Sequence, residues 1–181
     1  HPELALGWGS GSIESWGILD QAAVAQGFID SWKLWCGATN AQDCRIRIYG
    51  SSGGGFQALA AGTFVEAHEV IANNPQVDWT RYEYRSHVEA VASNVYGDSV
   101  ATVAERFPER INLTKLWSKA GYAPTFDLLV NGASGADVSR HTAVILDWLK
   151  VPQNASSVAN SSVRFYYSPA DGHNPLLPEE A

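Results

Sequence analysis

Three residue types that together run nucleophilic acyl transfer occur here in a workable order: Ser52, within Gly50-Ser51-Ser52-Gly53-Gly54, then Asp137, then His173. The first is a G-x-S-x-G pattern. Between a strand and a helix it forces the serine into strained backbone angles that lift its hydroxyl above the sheet. Gly50 and Gly54 are expected to let the backbones of the turn approach, with Gly53 and Gly55 adding room. The Gly53 amide, at the helix N-terminus, is expected to face a developing oxyanion. His173 lies in Asp171-Gly172-His173-Asn174-Pro175, loop sequence in which an imidazole suits chemistry better than core packing. There it would take the serine's proton while an acid orients the ring and stabilises its charged form. Asp137 is the preferred acid, although it reads equally as a first-turn helix residue or as the N-cap before Val138. Asp78 is the alternative acid, and Asp171 stands too near His173 in sequence. The remaining histidines are less well placed: His68 opens a strand, His87 and His141 fall in helical stretches, and His1 is terminal. The plain alternative is a glycine-rich turn that merely packs a helix on a strand. A phosphate loop would need the Lys of G-x-x-x-x-G-K-[ST], which is missing.

Such residues meet only if regular elements carry them. The β-branched alternation of 44–49 predicts a strand running into the glycines, and the small, apolar 56–62 a tightly packed helix. Strands are likewise predicted over 68–73, 126–131 and 163–167. Apolar residues at three- and four-residue steps predict helices over 18–35 and 138–150, the latter with Val144, Ile145, Trp148 and Leu149 inward. Residues 7–12 and 132–135 read as turn and loop, and 81–120 as a charged, aromatic, mostly helical insert or cap. Strands alternating with helices predict an α/β fold with a parallel sheet and right-handed crossovers in a single domain.

With Ser52, a later acid and a final-loop histidine in this order, the chain resembles the α/β-hydrolase superfamily over about residues 44–175. Tyr49-Gly50-Ser51-Ser52, Asn74-Pro75-Gln76 and Asp171-Gly172-His173-Asn174-Pro175 together look like a narrower branch. That branch is associated with bacterial surface glycans and accessory secretion, and includes glycan O-acetyltransferases. The resemblance implies a serine esterase or O-acyltransferase with Ser52 as nucleophile, His173 as base, Asp137 as acid and Gly53 at the oxyanion. Its substrate would be a small-molecule or glycan ester, and no cofactor is implied. The early strands of such a fold are not visible before residue 44. The chain therefore reads either as the C-terminal part of the fold, with another chain or segment completing the sheet, or as a pruned form of the family pattern.

Composition narrows the field. A net charge of -7 argues against a nucleic-acid groove, and no apolar run is long enough for a membrane span. No C-x-x-C or Cys/His cluster has zinc spacing, so no metal is expected; Cys36 and Cys44 fit either a short-loop disulfide or two thiols. Triplets at Asn112, Asn154 and Asn160 tilt slightly towards an extracellular or cell-surface setting. Seven Trp and seven Tyr leave room for a sugar-stacking or partner surface. A non-catalytic hydrolase-like module binding a glycan or a protein is the alternative to an enzyme.

Overall fold

The computed structural model describes residues 45–176, with scattered positions between Gly27 and Gly37. Both cysteines, the 7–12 turn and most of the helix expected over 18–35 lie outside the described residues.

Among the described residues, four strands form one all-parallel sheet: β1 (Arg47–Ser51), β2 (Glu69–Asn73), β3 (Phe126–Asn131) and β4 (Ser162–Tyr166), in the order β1-β2-β3-β4. The α/β class expected from the sequence is therefore observed. Parallel neighbours need crossovers, and helices supply them. Between β1 and β2 runs α1 (Ser52–Phe64). Four helices lie between β2 and β3: α2 (Arg85–Tyr96), α3 (Val100–Arg106), α4 (Pro108–Ile111) and α5 (Leu113–Ala120). Before β4 come a π-helical turn (Asp137–Thr142), α6 (Ala143–Leu149) and α7 (Pro152–Ser157).

Strand β1 sits later than the alternation predicts. Its ladder with β2 runs from Arg47↔Glu69 to Ser51↔Asn73, so Gly50 and Ser51 are strand rather than turn. The chain then enters α1 with no loop at all. Small residues make this close packing feasible: a Cβ on Gly62 would lie 2.4 Å from Val70 Cγ2 of β2. Phe56, Leu59, Val70, Leu128, Val130 and Ile145 are among the residues of the main core, each at most 1% exposed. Val144, Trp148 and Leu149 pack against it from α6, as the helical periodicity predicts.

The mostly helical reading of 81–120 also holds, and the segment has its own small core of Trp79, Val88, Ala92, Val103 and Ile111. Asn112 fastens its second half. The side-chain oxygen of Asn112 accepts from the Thr114 and Lys115 amides as the N-cap of α5, and its amide donates to Asp78 at 3.0 Å. An asparagine so committed is poorly suited to carry a glycan. Every strand's C-terminal end points the same way, towards Ser52, Asn74, Asn131 and the 167–175 loop.

Candidate active site

At the end of β1 the backbone must reverse within one residue to start α1. Ser52 absorbs the change: its φ is +53°, in the left-handed region that side chains other than glycine rarely adopt. Such strain costs on the order of 1–3 kcal/mol and persists only where surrounding packing enforces it. Gly50 is what lets the turn close. A Cβ there would stand 2.2 Å from the Gly54 carbonyl oxygen and 2.9 Å from the Ala58 Cβ. Gly55 is equally confined, since its Cβ would meet the Pro75 Cβ at 2.8 Å. Gly54 departs from expectation: its own Cβ would point into open space, because the approach to Gly50 uses its main-chain carbonyl. Gly53 follows Ser52 in the first turn of α1, where amides have no acceptor within the helix.

Ser52, His173 and Asp137 come together although 121 and 36 positions separate the successive contacts. His173 Nε2 lies 2.7 Å from Ser52 Oγ, and its Nδ1 lies 2.7 and 2.9 Å from the two oxygens of Asp137. An ionised carboxylate only accepts, so it assigns the Nδ1 proton to the neutral ring and leaves Nε2 to accept from the serine hydroxyl. Asp137 is buried, whereas the His173 side chain is 44% exposed. The hydrogen bond that His173 donates to Asp137 raises the His173 pKa above the ordinary histidine value; burial opposes this, and the charges of Asp137 and Glu83 add to it.

The two sequence readings of Asp137 are both met in part. It stands in the first turn of the π-helical segment and simultaneously faces His173, while it is not an N-cap. Ser134 Oγ donates to its Oδ2 at 2.5 Å, the same oxygen that lies 2.7 Å from His173 Nδ1, which helps to fix the carboxylate. Asp78, the alternative acid, is committed elsewhere. Its Oδ1 accepts from the amide and hydroxyl of Thr80, and its Oδ2 takes the Asn112 amide, with Arg81 at 3.7 Å. Asp171 accepts from the Ser168 hydroxyl.

Several residues of this site make contacts that the sequence does not reveal, among them Asn74 and Gln76, which stand out there only as part of Asn74-Pro75-Gln76. Asn74, with φ +42°, follows β2 and reaches three ways. Its oxygen accepts from the Asn131 amide at 2.7 Å, and its nitrogen donates to Tyr166 Oη at 3.2 Å and to the His173 carbonyl at 3.3 Å. Asn131, wholly buried at the end of β3, donates to the carbonyls of Ser168 and Gly172. These two asparagines hold the loop that carries His173. The only local signals were a polar residue ending each apolar strand and the Asn-Pro stop after β2. Gln76 is buried beside Ser52; its main-chain amide donates to the Ser52 carbonyl at 3.0 Å and its side-chain amide to Ser52 Oγ at 3.4 Å. His141 is buried too, and its Nδ1 accepts from the Val77 amide at 3.2 Å. Burial pushes its pKa down to about 4, against the opposing charges of Asp137 and Asp78.

A cavity of about 110 Å³ opens at His173, between Tyr82–Tyr84 and the segment that carries Asp137, Arg140 and His141. It adjoins an open concavity of about 540 Å³ lined by Arg81, Arg85, Ser139 and Arg140. Among the described residues no cluster of three or more His, Cys, Asp or Glu is disposed to hold a metal, and no helix is long and apolar enough to cross a membrane.

Comparison with protein-family models and with curated proteins finds no match for this chain.

Proposed function

We propose that the chain is a serine-nucleophile acyl-transfer enzyme acting on esters. The observation that carries this reading is the continuous Ser52–His173–Asp137 hydrogen-bonded relay, built on a serine with positive φ at the start of a helix. A structural turn needs neither a strained serine nor a histidine aligned on it. The resemblance to α/β-hydrolases rests on the same residues, and their order along the chain agrees with it.

In the reaction, His173 Nε2 takes the Ser52 proton as Oγ attacks the ester carbonyl. The Gly53 amide donates to the oxyanion as it develops, in the dipole field of the α1 N-terminus. Collapse breaks the bond to the alcohol, which leaves with the proton from His173, and an acyl-Ser52 remains. An incoming water or hydroxyl then gives its proton to His173 and takes the acyl group. Water makes the enzyme an esterase; a sugar hydroxyl makes it an O-acyltransferase. Asp137 keeps the imidazole in the productive tautomer and favours its charged form during transfer. The helical 81–120 segment, whose first residues border the His173 cavity, is the cap that selects substrate. The outer edge of β1 is where a further segment or chain would add strands.

Labelling with a fluorophosphonate, followed by mass spectrometry of the adduct, tests the reading. We expect an adduct on Ser52 that is lost in His173→Ala. A folded chain that never labels would overturn the assignment and favour a non-catalytic binding module.

A further inference from the structure

We infer that the alcohol half of the ester carries an anionic group, a carboxylate or a phosphate, held by Arg140 and Arg85. This rests on the acyl-transfer reading and adds the chemistry of the substrate to it.

The argument begins with polarity. The protein as a whole is acidic, with a net charge of -7. Yet the open concavity beside the site is lined by Arg81, Arg85 and Arg140 against one acid, Glu83. Among the described residues, Arg81 is near Asp78 at 3.7 Å and within the field of Asp147, whereas Arg85 and Arg140 are in no ion pair. Glu83 acts on His173, whose charged form it favours. Among the described residues these two guanidinium groups are thus left without a carboxylate partner, in a protein whose acids outnumber its bases. Arg85 is also fixed, since its Nη1 donates to the Thr80 carbonyl at 2.5 Å, which orients the remaining donors of a planar group.

Position then selects which half of the ester is meant. Arg140 borders both cavities, and the smaller one ends at His173. His173 is the residue that hands the serine's proton to the departing alcohol. When the acyl–oxygen bond breaks, the new Ser52 ester keeps the acyl part, and the alcohol oxygen takes the proton on the histidine side. A group attached to that alcohol is directed towards Tyr82, Tyr84 and Arg140. Tyr82 and Tyr84 stand edge to face, centroids 5.6 Å apart, and Tyr84 is 58% exposed, so they offer an apolar ring surface next to the cations. Guanidinium forks bind carboxylate and phosphate oxygens in pairs, with charge and geometry acting together.

The test uses 4-acetoxybenzoate and its methyl ester, two acetyl esters that differ by one negative charge on the leaving alcohol. The quantity read is the ratio of their kcat/KM values, from which the intrinsic reactivity of the two esters cancels between proteins. Arg140→Gln should lower the preference for the anionic ester about tenfold, and Arg140→Glu should lower it further. Arg85→Gln, on a different element, should lower it as well. Calorimetry with 4-hydroxybenzoate should show the same order of weakening without any turnover. An unchanged ratio in all three variants would overturn the proposal even if Ser52 labels normally, leaving the acyl-transfer reading intact. Calorimetric binding without any Ser52 labelling would instead remove the ester chemistry and with it the substrate assignment.

Discussion

Replacing Asp137 by Asn removes both the tautomer control and the negative charge that this residue brings to the proposed relay. The substitution preserves shape in a buried position, so the fold should survive it. One acceptor oxygen becomes an amide N–H₂, and both carboxylate positions lie within 2.9 Å of His173 Nδ1. An N–H there opposes the ring's own Nδ1 proton and favours the tautomer protonated on Nε2, which cannot accept from Ser52. The negative charge facing the imidazolium is lost too. Together these effects should slow acylation about a thousand- to ten-thousandfold, or about 4–5 kcal/mol in the barrier. The pH dependence moves in a definite direction. In the proposed reaction neutral His173 is the base, so the rate of Ser52 labelling should rise as the ring loses its proton. Asp137 holds that pKa above the ordinary histidine value, and Asn removes the main cause. The rising limb should therefore shift to lower pH while the plateau falls. The assay is the pseudo-first-order rate of fluorophosphonate labelling across pH, for wild type and Asp137→Asn at equal folded fraction. A plateau within tenfold of wild type, or a limb that moves upward, would refute the assigned role of Asp137.

The strain at Ser52 predicts that Ser52→Gly is inactive yet more stable than Ser52→Ala by about 1 kcal/mol, measured by urea denaturation, because only glycine is at ease at φ +53°. Gly50→Ala should destabilise the chain by about 3 kcal/mol through its clash with the Gly54 carbonyl, whereas Gly54→Ala, facing open space, should leave stability within about 1 kcal/mol of wild type; thermal melts of the two distinguish them. Asn74→Ala loses its ties to Asn131 and the His173 loop and keeps an unfavourable φ, so stability should fall by about 2–3 kcal/mol and Ser52 labelling should slow. His141 is buried neutral with a pKa of about 4 against 6.5 when unfolded, so the unfolded chain binds more protons between these values. Stability should therefore fall as pH drops from 6.5 towards 4, by up to about 3 kcal/mol from this residue, and denaturant titrations of His141→Asn should show a correspondingly shallower loss.

What could be read from the sequence was whatever is written locally. Strand β3 was predicted at the residues it occupies, because Phe126–Asn131 is a short apolar run bounded by turn residues. The strand-to-helix turn at Ser52 is legible because a strand, a G-x-S-x-G and small helix residues adjoin one another. Gly50 and Ser51 read as turn because their glycine-rich surroundings look irregular, although the β1–β2 ladder continues through them. Gly54 was credited with a side-chain constraint that belongs to its carbonyl. The pairing of His173 with Asp137 rather than Asp78 was only a preference in sequence, since nothing local tells an acid that caps a turn from one that meets an imidazole. Tertiary hydrogen bonding decides it: Thr80 and Asn112 occupy Asp78. The contacts of Asn74, Asn131 and His141 escape the sequence for the same reason, although Asn74 stands in a noted motif and His141 is weighed there among the less well placed histidines. Their partners lie 57, 37 and 64 positions away, and no periodicity encodes such distances.

The dipeptide Asn131-Gly132 carries a chemical consequence of its own. Asparagine followed by glycine is prone to lose its amide, because the next main-chain nitrogen attacks the side-chain carbonyl to form a cyclic imide. In the folded chain this attack is blocked twice over. The Gly132 nitrogen donates to the Tyr166 carbonyl at 2.8 Å, and the Asn131 amide is locked between the Ser168 and Gly172 carbonyls. Unfolding frees both groups. The aspartate or isoaspartate that results would set a negative oxygen against those same two carbonyls, so the damaged chain could not rebuild the loop that bears His173. Each long excursion from the native state thus becomes partly irreversible. Ageing of the protein would be recorded at one peptide as an amide turned into an acid.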